Sequence, residues 1–89
     1  MIVEKITIIN KLGLHARAAS KLVNCASQFE SEVFIIRKDN RVNAKSIMGV
    51  MMLAASKGVE LELEIEGNDE QSCLDALVDL INNRFGENE

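Results

Sequence analysis

One histidine and one arginine stand close together in the stretch "NKLGLHARAASKLV", which runs from Asn10 to Val23 of this 89-residue chain. His15 is the only histidine, and Arg17 follows it by two residues. A neutral imidazole is a nucleophile near neutral pH, and a guanidinium offers a fork of donors that suits phosphate oxygens. The pair therefore indicates chemistry on an anionic group, provided that local structure holds the two side chains together.

The stretch lies where a strand-like run gives way to a helix-like run. Ile2 to Ile9 is rich in β-branched residues and is predicted to be a strand, and Asn10 and Gly13 supply the turn. A helix is predicted over Ala16 to Phe29, because apolar residues recur there at steps of three and four. Those residues are Ala19, Leu22, Val23, Ala26 and Phe29.

His15 is therefore expected at the mouth of a helix, where the first backbone amides have no intrahelical acceptor. These amides, of Ala16, Arg17 and Ala18, together with the helix dipole favour an anion and disfavour a protonated imidazole. If His15 attacked a phosphoryl group, the phosphohistidine oxygens would reach the amides and Arg17. A histidine at a helix start is also commonly a capping or surface residue, and an arginine a solvated charge, so both interpretations stay open at this point.

The segment contains no group that would destroy a phosphoryl intermediate. It has no carboxylate placed to activate water and no Ser/His/Asp set. The chain also lacks a GxxxxGK[ST] phosphate loop and the usual metal-ligand spacings, so neither a metal nor a cofactor is predicted. These residue types favour a site that holds a phosphoryl group and releases it to a partner, as a carrier does.

The rest of the chain alternates between strand-like and helix-like patterns of apolar residues. Further elements are predicted over Glu32–Arg37, Arg41–Ala44 after a "KDN" hairpin, Ile47 to about Ala54 ending at Gly58, Val59–Glu66, and Asp69 or Glu70 to Arg84. The order β-α-β-β-α-β-α predicts one domain over residues 1–89. We expect an α+β open-faced β-sandwich, with a four-stranded, mainly antiparallel sheet carrying three helices on one face.

The last strand and the last helix show the clearest amphipathic patterns. In "VELELEIE", apolar residues alternate with four glutamates, which is typical of a strand with one face buried and one in water. We interpret the glutamate row as a solvated face rather than a metal site. The final helix has acidic residues in its first turn, which the helix dipole favours, and an apolar stripe. The stripe consists of Leu74, Leu77, Val78, Ile81 and Phe85.

The short middle helix carries more apolar residues than one buried face can hold. Ser46 is its predicted N-cap. We expect Ile47, Met48 and Met51 to be at least partly exposed, and methionines adapt to several surfaces, so this patch is a candidate docking site. The alternative is that the methionines fill gaps in the core.

Composition excludes several other classes. A net charge of −4 and only three aromatic residues, all Phe, argue against binding to nucleic acid or to an anionic membrane. No apolar run reaches the roughly 18 residues that a membrane span needs. The N-terminus lacks the features of a secretory signal, so we expect a cytoplasmic protein. Cys25 and Cys73 are interpreted as small buried residues in a reducing compartment, with a disulfide or redox function as the alternative.

Two segments together, "GLHARAASKLV" and "VNAKSIMGVMMLAASKG", are similar to the HPr family of histidine phosphocarriers in the bacterial phosphoenolpyruvate-dependent phosphotransferase system. The resemblance covers nearly the whole chain and the order of its elements. It implies that His15 accepts a phosphoryl group on Nδ1 from phosphorylated enzyme I and passes it to an enzyme IIA domain. It also implies that Arg17 is the active-site arginine. The protein would thus be a carrier and not an ordinary enzyme.

The resemblance extends to regulation. The family's second phosphorylation site is a serine at the start of the middle helix, which corresponds to Ser46. In many bacteria an HPr kinase/phosphorylase modifies that serine. The family's docking surface matches Ile47, Met48 and Met51. A monomer is expected, since one face is presented to successive partners.

One residue departs from the family pattern. Members often read "LHARPA", whereas this chain has Ala18 where the proline would be. Losing a proline from the first turn should cost about 0.4–1 kcal/mol through the entropy of the unfolded chain. Ala18 regains a backbone amide, and our hypothesis is that this amide helps to solvate the phosphoryl group or the His15 ring.

Three alternatives remain open on the sequence. Within the family, the nitrogen-related branch would have a regulatory output instead of sugar import. From other classes, a small-molecule-binding regulatory domain would need a ligand cleft, and a small phosphatase would need an activated water. The sequence does not distinguish which enzyme IIA or sugar is served.

Overall fold

The computed structural model describes all 89 residues and contains a four-stranded sheet with three helices. This confirms the predicted α+β open-faced sandwich and its order of elements. The bounds are β1 Ile2–Thr7, α1 Ala16–Ser27, β2 Glu32–Arg37, β3 Asn40–Asn43, α2 Ile47–Met52, β4 Glu60–Glu66 and α3 Glu70–Asn82, followed by a 3₁₀ turn at Arg84–Gly86.

The strand order is β1-β4-β2-β3, and every neighbouring pair is antiparallel. The sheet is thus wholly antiparallel, where the sequence predicted a mainly antiparallel one. β4 lies inside the sheet, and its apolar residues Leu61, Leu63 and Ile65 are buried. They pair in register with residues of both neighbouring strands, such as Ile6 opposite Leu61 and Ile35 opposite Leu63. This alternation builds the core on one face of the sheet.

The glutamates of β4 occupy the opposite face of the sheet. Glu62 lies opposite Lys5 in register. The Oε1 atom of Glu64 lies 3.0 Å from Nε of Arg41, whose guanidinium lies 3.7 Å from the centroid of the Phe34 ring. No three potential metal-ligating side chains lie together anywhere in the chain. On this outer face Glu60 and Glu66 are exposed, while Glu62 and Glu64 are half-buried.

Element ends differ from the prediction by one or two residues, and α2 differs for a clear reason. It ends at Met52, not near Ala54, because Ala54 adopts a left-handed conformation with φ +50°. Nη1 of Arg37 donates to the carbonyls of Leu53 at 2.7 Å and of Ala54 at 3.0 Å. These bonds satisfy carbonyls at the end of the helix, so its stop is set by a distant arginine and not by Gly58.

Other strands and helices are also shorter or shifted relative to the prediction, although neighbouring residues still pack or form hydrogen bonds beyond the regular element. β1 ends at Thr7, yet Ile8 is fully buried and its amide donates to the Val59 carbonyl at 3.0 Å. β3 is shifted to Asn40–Asn43, although the Ala44 amide still bonds to Val33 O at 2.9 Å. α1 ends at Ser27 before Phe29, and β4 begins one residue after Val59.

The carboxylate at the start of helix α3 accepts hydrogen bonds from the loop that precedes β2. Asp69 is its N-cap, but the side chain accepts from the amides of Glu30 at 2.9 Å and Ser31 at 3.0 Å and from the Ser31 hydroxyl. The hydroxyl bond, and then the amide bonds, hold the pKa of the Asp69 carboxyl below its usual range. Of the predicted stripe, Val78 is only partly buried, while Leu74, Leu77, Ile81 and Phe85 are in the core.

Both cysteines are free thiols, Cys73 buried and Cys25 half-buried. Burial, with further effects of Cys25 and Asp69, raises the pKa of Cys73 to about 11, and burial raises the pKa of Cys25. Neither thiol is therefore poised as a nucleophile at neutral pH. Separately, none of the helices is both long enough and apolar enough to cross a lipid bilayer.

Candidate functional site

The loop before α1 is held against the segment that follows α2. Gly13 has φ +69°, and a Cβ there would lie 2.5 Å from the Ala55 carbonyl oxygen, so only glycine fits both the conformation and the space. The Leu14 amide donates to the same carbonyl at 2.8 Å, and the Gly13 amide to Asn10 O at 3.2 Å. These contacts fix the backbone directly before His15.

His15 is the N-cap of α1, but its side chain makes no capping hydrogen bond. The first bond of the helix runs from the Ala19 amide to the His15 carbonyl at 2.8 Å. The amides of Ala16, Arg17 and Ala18 have no acceptor within the chain. The open start that the sequence predicted is therefore present: three donors and the positive end of a helix lie beside the imidazole.

Arg17 lies exposed beside His15 and forms no ion pair, so its guanidinium is free to bind an anion. The two side chains line the same open depression on the surface. Sequence reasoning missed one apolar residue of its rim, Leu12, which is largely exposed. The depression is lined by Lys11, Leu12, His15, Arg17, Glu87, Asn88 and Glu89.

The structure also brings a carboxylate to His15 from a part of the chain outside the segment Asn10 to Val23. Nε2 of His15 contacts Oε2 of Glu87, 72 residues further along the chain. Oε1 of Glu87 accepts from Nδ2 of Asn10 at 3.0 Å. The bonds from His15 and Asn10 hold the pKa of the Glu87 carboxyl below its usual range. Both of its oxygens are thus engaged, and it lies on the Nε2 side of the ring, where it is poorly placed to activate water at Nδ1.

Ser46 and the apolar residues of α2 form a second surface. Oγ of Ser46 accepts from the Gly49 amide at 3.3 Å, which confirms the predicted N-cap. Ile47, Met48 and Met51 are 39%, 69% and 42% exposed, so these methionines do not fill the core. Met52, which the sequence analysis left out of the patch, is 77% exposed. This surface lies near His15, because α1 and α2 pack together and Ala55 holds the His15 loop.

The family model described as "PTS HPr component phosphorylation site" matches residues 2–83 of this chain. The chain belongs to the HPr family. A phosphocarrier protein HPr of Neisseria meningitidis serogroup A is 60% identical over 89 residues, which is the whole of both chains. A crystal structure of HPr-C-His from Thermoanaerobacter tengcongensis superposes with a TM-score of 0.96 at 47% identity and full coverage of both chains. Membership of the HPr family makes this chain a phosphocarrier of the phosphotransferase system.

An HPr dimer from Thermoanaerobacter tengcongensis is also similar, with a TM-score of 0.79 and 50% identity over 92% of this chain and 94% of that one. Family membership is therefore compatible with more than one oligomeric state. The expectation that this HPr chain is a monomer stays a prediction.

Proposed function

We propose that this HPr family member accepts a phosphoryl group from phosphorylated enzyme I on Nδ1 of His15 and passes it to an enzyme IIA domain. The observation that supports this most is the combination at the start of α1. A side chain with nucleophilic nitrogen lies beside three amides without acceptors and an arginine without an acidic partner. The site can stabilise a phosphoryl group electrostatically once it is bound to the ring.

Arg17 and the amides of Ala16, Arg17 and Ala18 are proposed to hold the phosphoryl oxygens. The Ala18 side chain is fully buried and its amide lies in the first turn without an acceptor, as the hypothesis about the missing proline requires. A structure of the phosphorylated form with no anion contact near that amide would remove the hypothesis.

Ile47, Met48 and Met51 are proposed to dock both enzyme I and the enzyme IIA domain. They are exposed, apolar and near the His15 loop, and methionine side chains can repack against different partners. Their place on one small surface would let a single carrier face two partners in turn, which is most simply done by a monomer.

Ser46 is proposed to be a regulatory phosphorylation site, for an HPr kinase/phosphorylase where the cell has one. Its hydroxyl is at an exposed helix start, where the dipole tolerates the roughly −1.5 to −2 charges of a phosphate. The fold should therefore survive modification, while charge and bulk appear beside Ile47. A location in the cytoplasm, with enzyme I, follows from this function and is part of the proposal. Sugar-importing and nitrogen-related outputs would use the same loading chemistry.

The test is to incubate the protein with enzyme I and phosphoenolpyruvate and to measure its mass. We expect the gain of one acid-labile phosphoryl group, its absence in His15→Ala, and its presence in Ser46→Ala. Continuous release of inorganic phosphate would instead indicate a phosphatase. No mass change in the wild-type protein would contradict the proposal and leave a ligand-binding module as the better interpretation.

A further inference from the structure

The C-terminal residues fold back over the His15 loop and are held at two points. Phe85 is fully buried, and left-handed backbone at Arg84, Phe85 and Gly86 reverses the chain direction after α3. Nζ of Lys21 donates to the Phe85 carbonyl at 2.6 Å. Beyond Glu87, the Lys11 amide donates to the Glu89 carbonyl at 2.7 Å. Glu87 therefore lies between two anchors, one on α1 and one on the loop that precedes His15.

The Glu87 carboxylate is oriented by a buried amide. Asn10 is fully buried, and its Nδ2 atom donates both to the Gly13 carbonyl at 2.8 Å and to Oε1 of Glu87 at 3.0 Å. The bond to the Gly13 carbonyl fixes Nδ2 as the end of the amide that faces Glu87. Because Nδ2 then donates to Oε1, Oε2 is the carboxylate oxygen that remains for the ring of His15. An ionised carboxylate accepts hydrogen bonds and donates none. The ring nitrogen that it contacts must therefore carry the proton.

We propose that Glu87 is a positioning residue that keeps the proton of His15 on Nε2 and so presents the Nδ1 lone pair to the incoming phosphoryl group. Nδ1 has no hydrogen-bond partner within the chain, so the attacking nitrogen is unobstructed. The inference rests on the proposed function for its consequence, but the position of the proton is a property of the unphosphorylated protein. In Ser-His-Asp enzymes a carboxylate sets the tautomer of the catalytic imidazole on the same physical basis.

The same proton serves both halves of the transfer. On loading, the Nδ1 lone pair forms the N–P bond, and the bond between phosphorus and the donor side chain breaks with its electron pair going to the donor. The ring, still protonated on Nε2, then carries a positive charge next to the Glu87 carboxylate. On unloading, a nucleophile of the acceptor bonds to phosphorus and the P–Nδ1 electron pair returns to the ring. No proton on Nε2 moves, and the carboxylate stabilises the charged ring as a leaving group.

The substitution Glu87→Gln gives a sharp test because Asn10 still donates towards this position. The glutamine oxygen would accept from Asn10, and its NH₂ group would face His15. That group needs an unprotonated Nε2, so the proton would move to Nδ1 and block the nucleophile. The alanine side chain of Glu87→Ala neither accepts nor donates a hydrogen bond, so it favours neither position of the proton on the His15 ring. We therefore expect the glutamine variant to be impaired more than the alanine variant, an order that simple loss of packing would not produce.

The experiment is ¹⁵N NMR of the His15 ring in the unphosphorylated protein at a pH where the ring is neutral. We expect the proton on Nε2 in the wild type, on Nδ1 in Glu87→Gln and on a mixture in Glu87→Ala. The charge-matched control Asp79→Asn, on the exposed side of α3, should match the wild type. A wild-type proton on Nδ1, or an unchanged proton position in Glu87→Gln, overturns the proposal.

A kinetic measurement gives a second readout. The maximal rate of phosphorylation by enzyme I should fall by about tenfold in Glu87→Gln, with KM for enzyme I little changed. A rate for Glu87→Gln equal to or above that of Glu87→Ala contradicts the inference. If the wild type were not phosphorylated at all, the proposed function would fail. The NMR experiment would still decide separately whether Glu87 sets the position of the ring proton.

Discussion

The helix that begins after His15 and the helix that begins after Ser46 treat their first amides in opposite ways. At α2 the Ser46 hydroxyl accepts from the Gly49 amide, and the helix is only six residues long. At α1, with twelve residues, the N-cap side chain leaves the first amides unsatisfied and points its ring towards Glu87. A closed start serves stability, whereas an open start beside a nucleophile can be filled and emptied by an anion.

Because the two helix starts differ in this way, a phosphate should have different consequences at His15 and at Ser46. At His15 it would complete a helix start that lacks acceptors. At Ser46 it would replace an existing cap beside an apolar surface. We therefore expect the first modification to be passed on and the second to change docking.

Gly13 holds the start of α1 in place, and its replacement should change the protein more than any other substitution considered below. Gly13→Ala should lower the free energy of unfolding by about 3 kcal/mol, because φ +69° is strained for alanine and the Cβ would meet the Ala55 carbonyl at 2.5 Å. Denaturant unfolding measures it. Gly58→Ala is a matched control, with φ +90° but no atom within 4 Å, and should cost about 1–2 kcal/mol. Equal losses in both variants would show that the contact with Ala55 does not matter.

The next substitution should change the rate of phosphorylation at the start of α1 without changing the stability of the fold. Arg17→Ala should reduce the rate of phosphorylation by enzyme I about 100-fold, because one preorganised cation is lost from the phosphoryl site. The melting temperature should barely change, since Arg17 is exposed and unpaired. Arg41→Ala removes the same charge from the outer face of the sheet and should keep the wild-type rate. Similar losses in the two variants would mean that only net charge is being sensed.

At the closed start, Ser46→Asp should raise KM for enzyme I by about tenfold, because it places a charge beside the docking patch. Ser46→Ala should keep the wild-type KM while losing about 1 kcal/mol of stability with its cap. Steady-state kinetics with enzyme I and thermal unfolding measure the two quantities. A Ser46→Asp protein that is loaded as efficiently as the wild type would contradict the docking argument.

The smallest effect concerns the third helix start, at Asp69, and depends on pH. Its folded pKa is below the unfolded value of about 3.9, so the unfolded state binds the proton first as the pH falls. The stabilisation is present above about pH 4 and is lost as the pH falls through the folded pKa. Asp69→Asn should be less stable than the wild type at pH 7, with a gap that narrows in acid. A gap that stays constant between pH 7 and pH 2 would exclude this carboxylate as the source.

Local signals predicted the two helix starts well, because each is encoded within a few residues. The alternation in β4, the turn before His15 and the serine before α2 were all visible in the sequence. The end of α2 was not, since Arg37 and the conformation of Ala54 decide it. The contact of Glu87 with His15 was not visible in the sequence either, because the residues that follow Glu87 are polar and resemble a solvated C-terminal tail. Only the three-dimensional path after Phe85 brings it to His15, and no pattern within a few residues of Glu87 indicates that contact.

Whether His15 carries the phosphoryl group on Nδ1 is tested by locating that group on the protein itself. The ¹⁵N-labelled protein should be loaded by enzyme I and phosphoenolpyruvate at alkaline pH and its ring nitrogens examined by ¹⁵N and ³¹P NMR. We expect one phosphoryl group bonded to Nδ1 of His15, a proton on Nε2, and no phosphate on Ser46. A phosphoryl group on Nε2, or on Ser46 in place of His15, would contradict it.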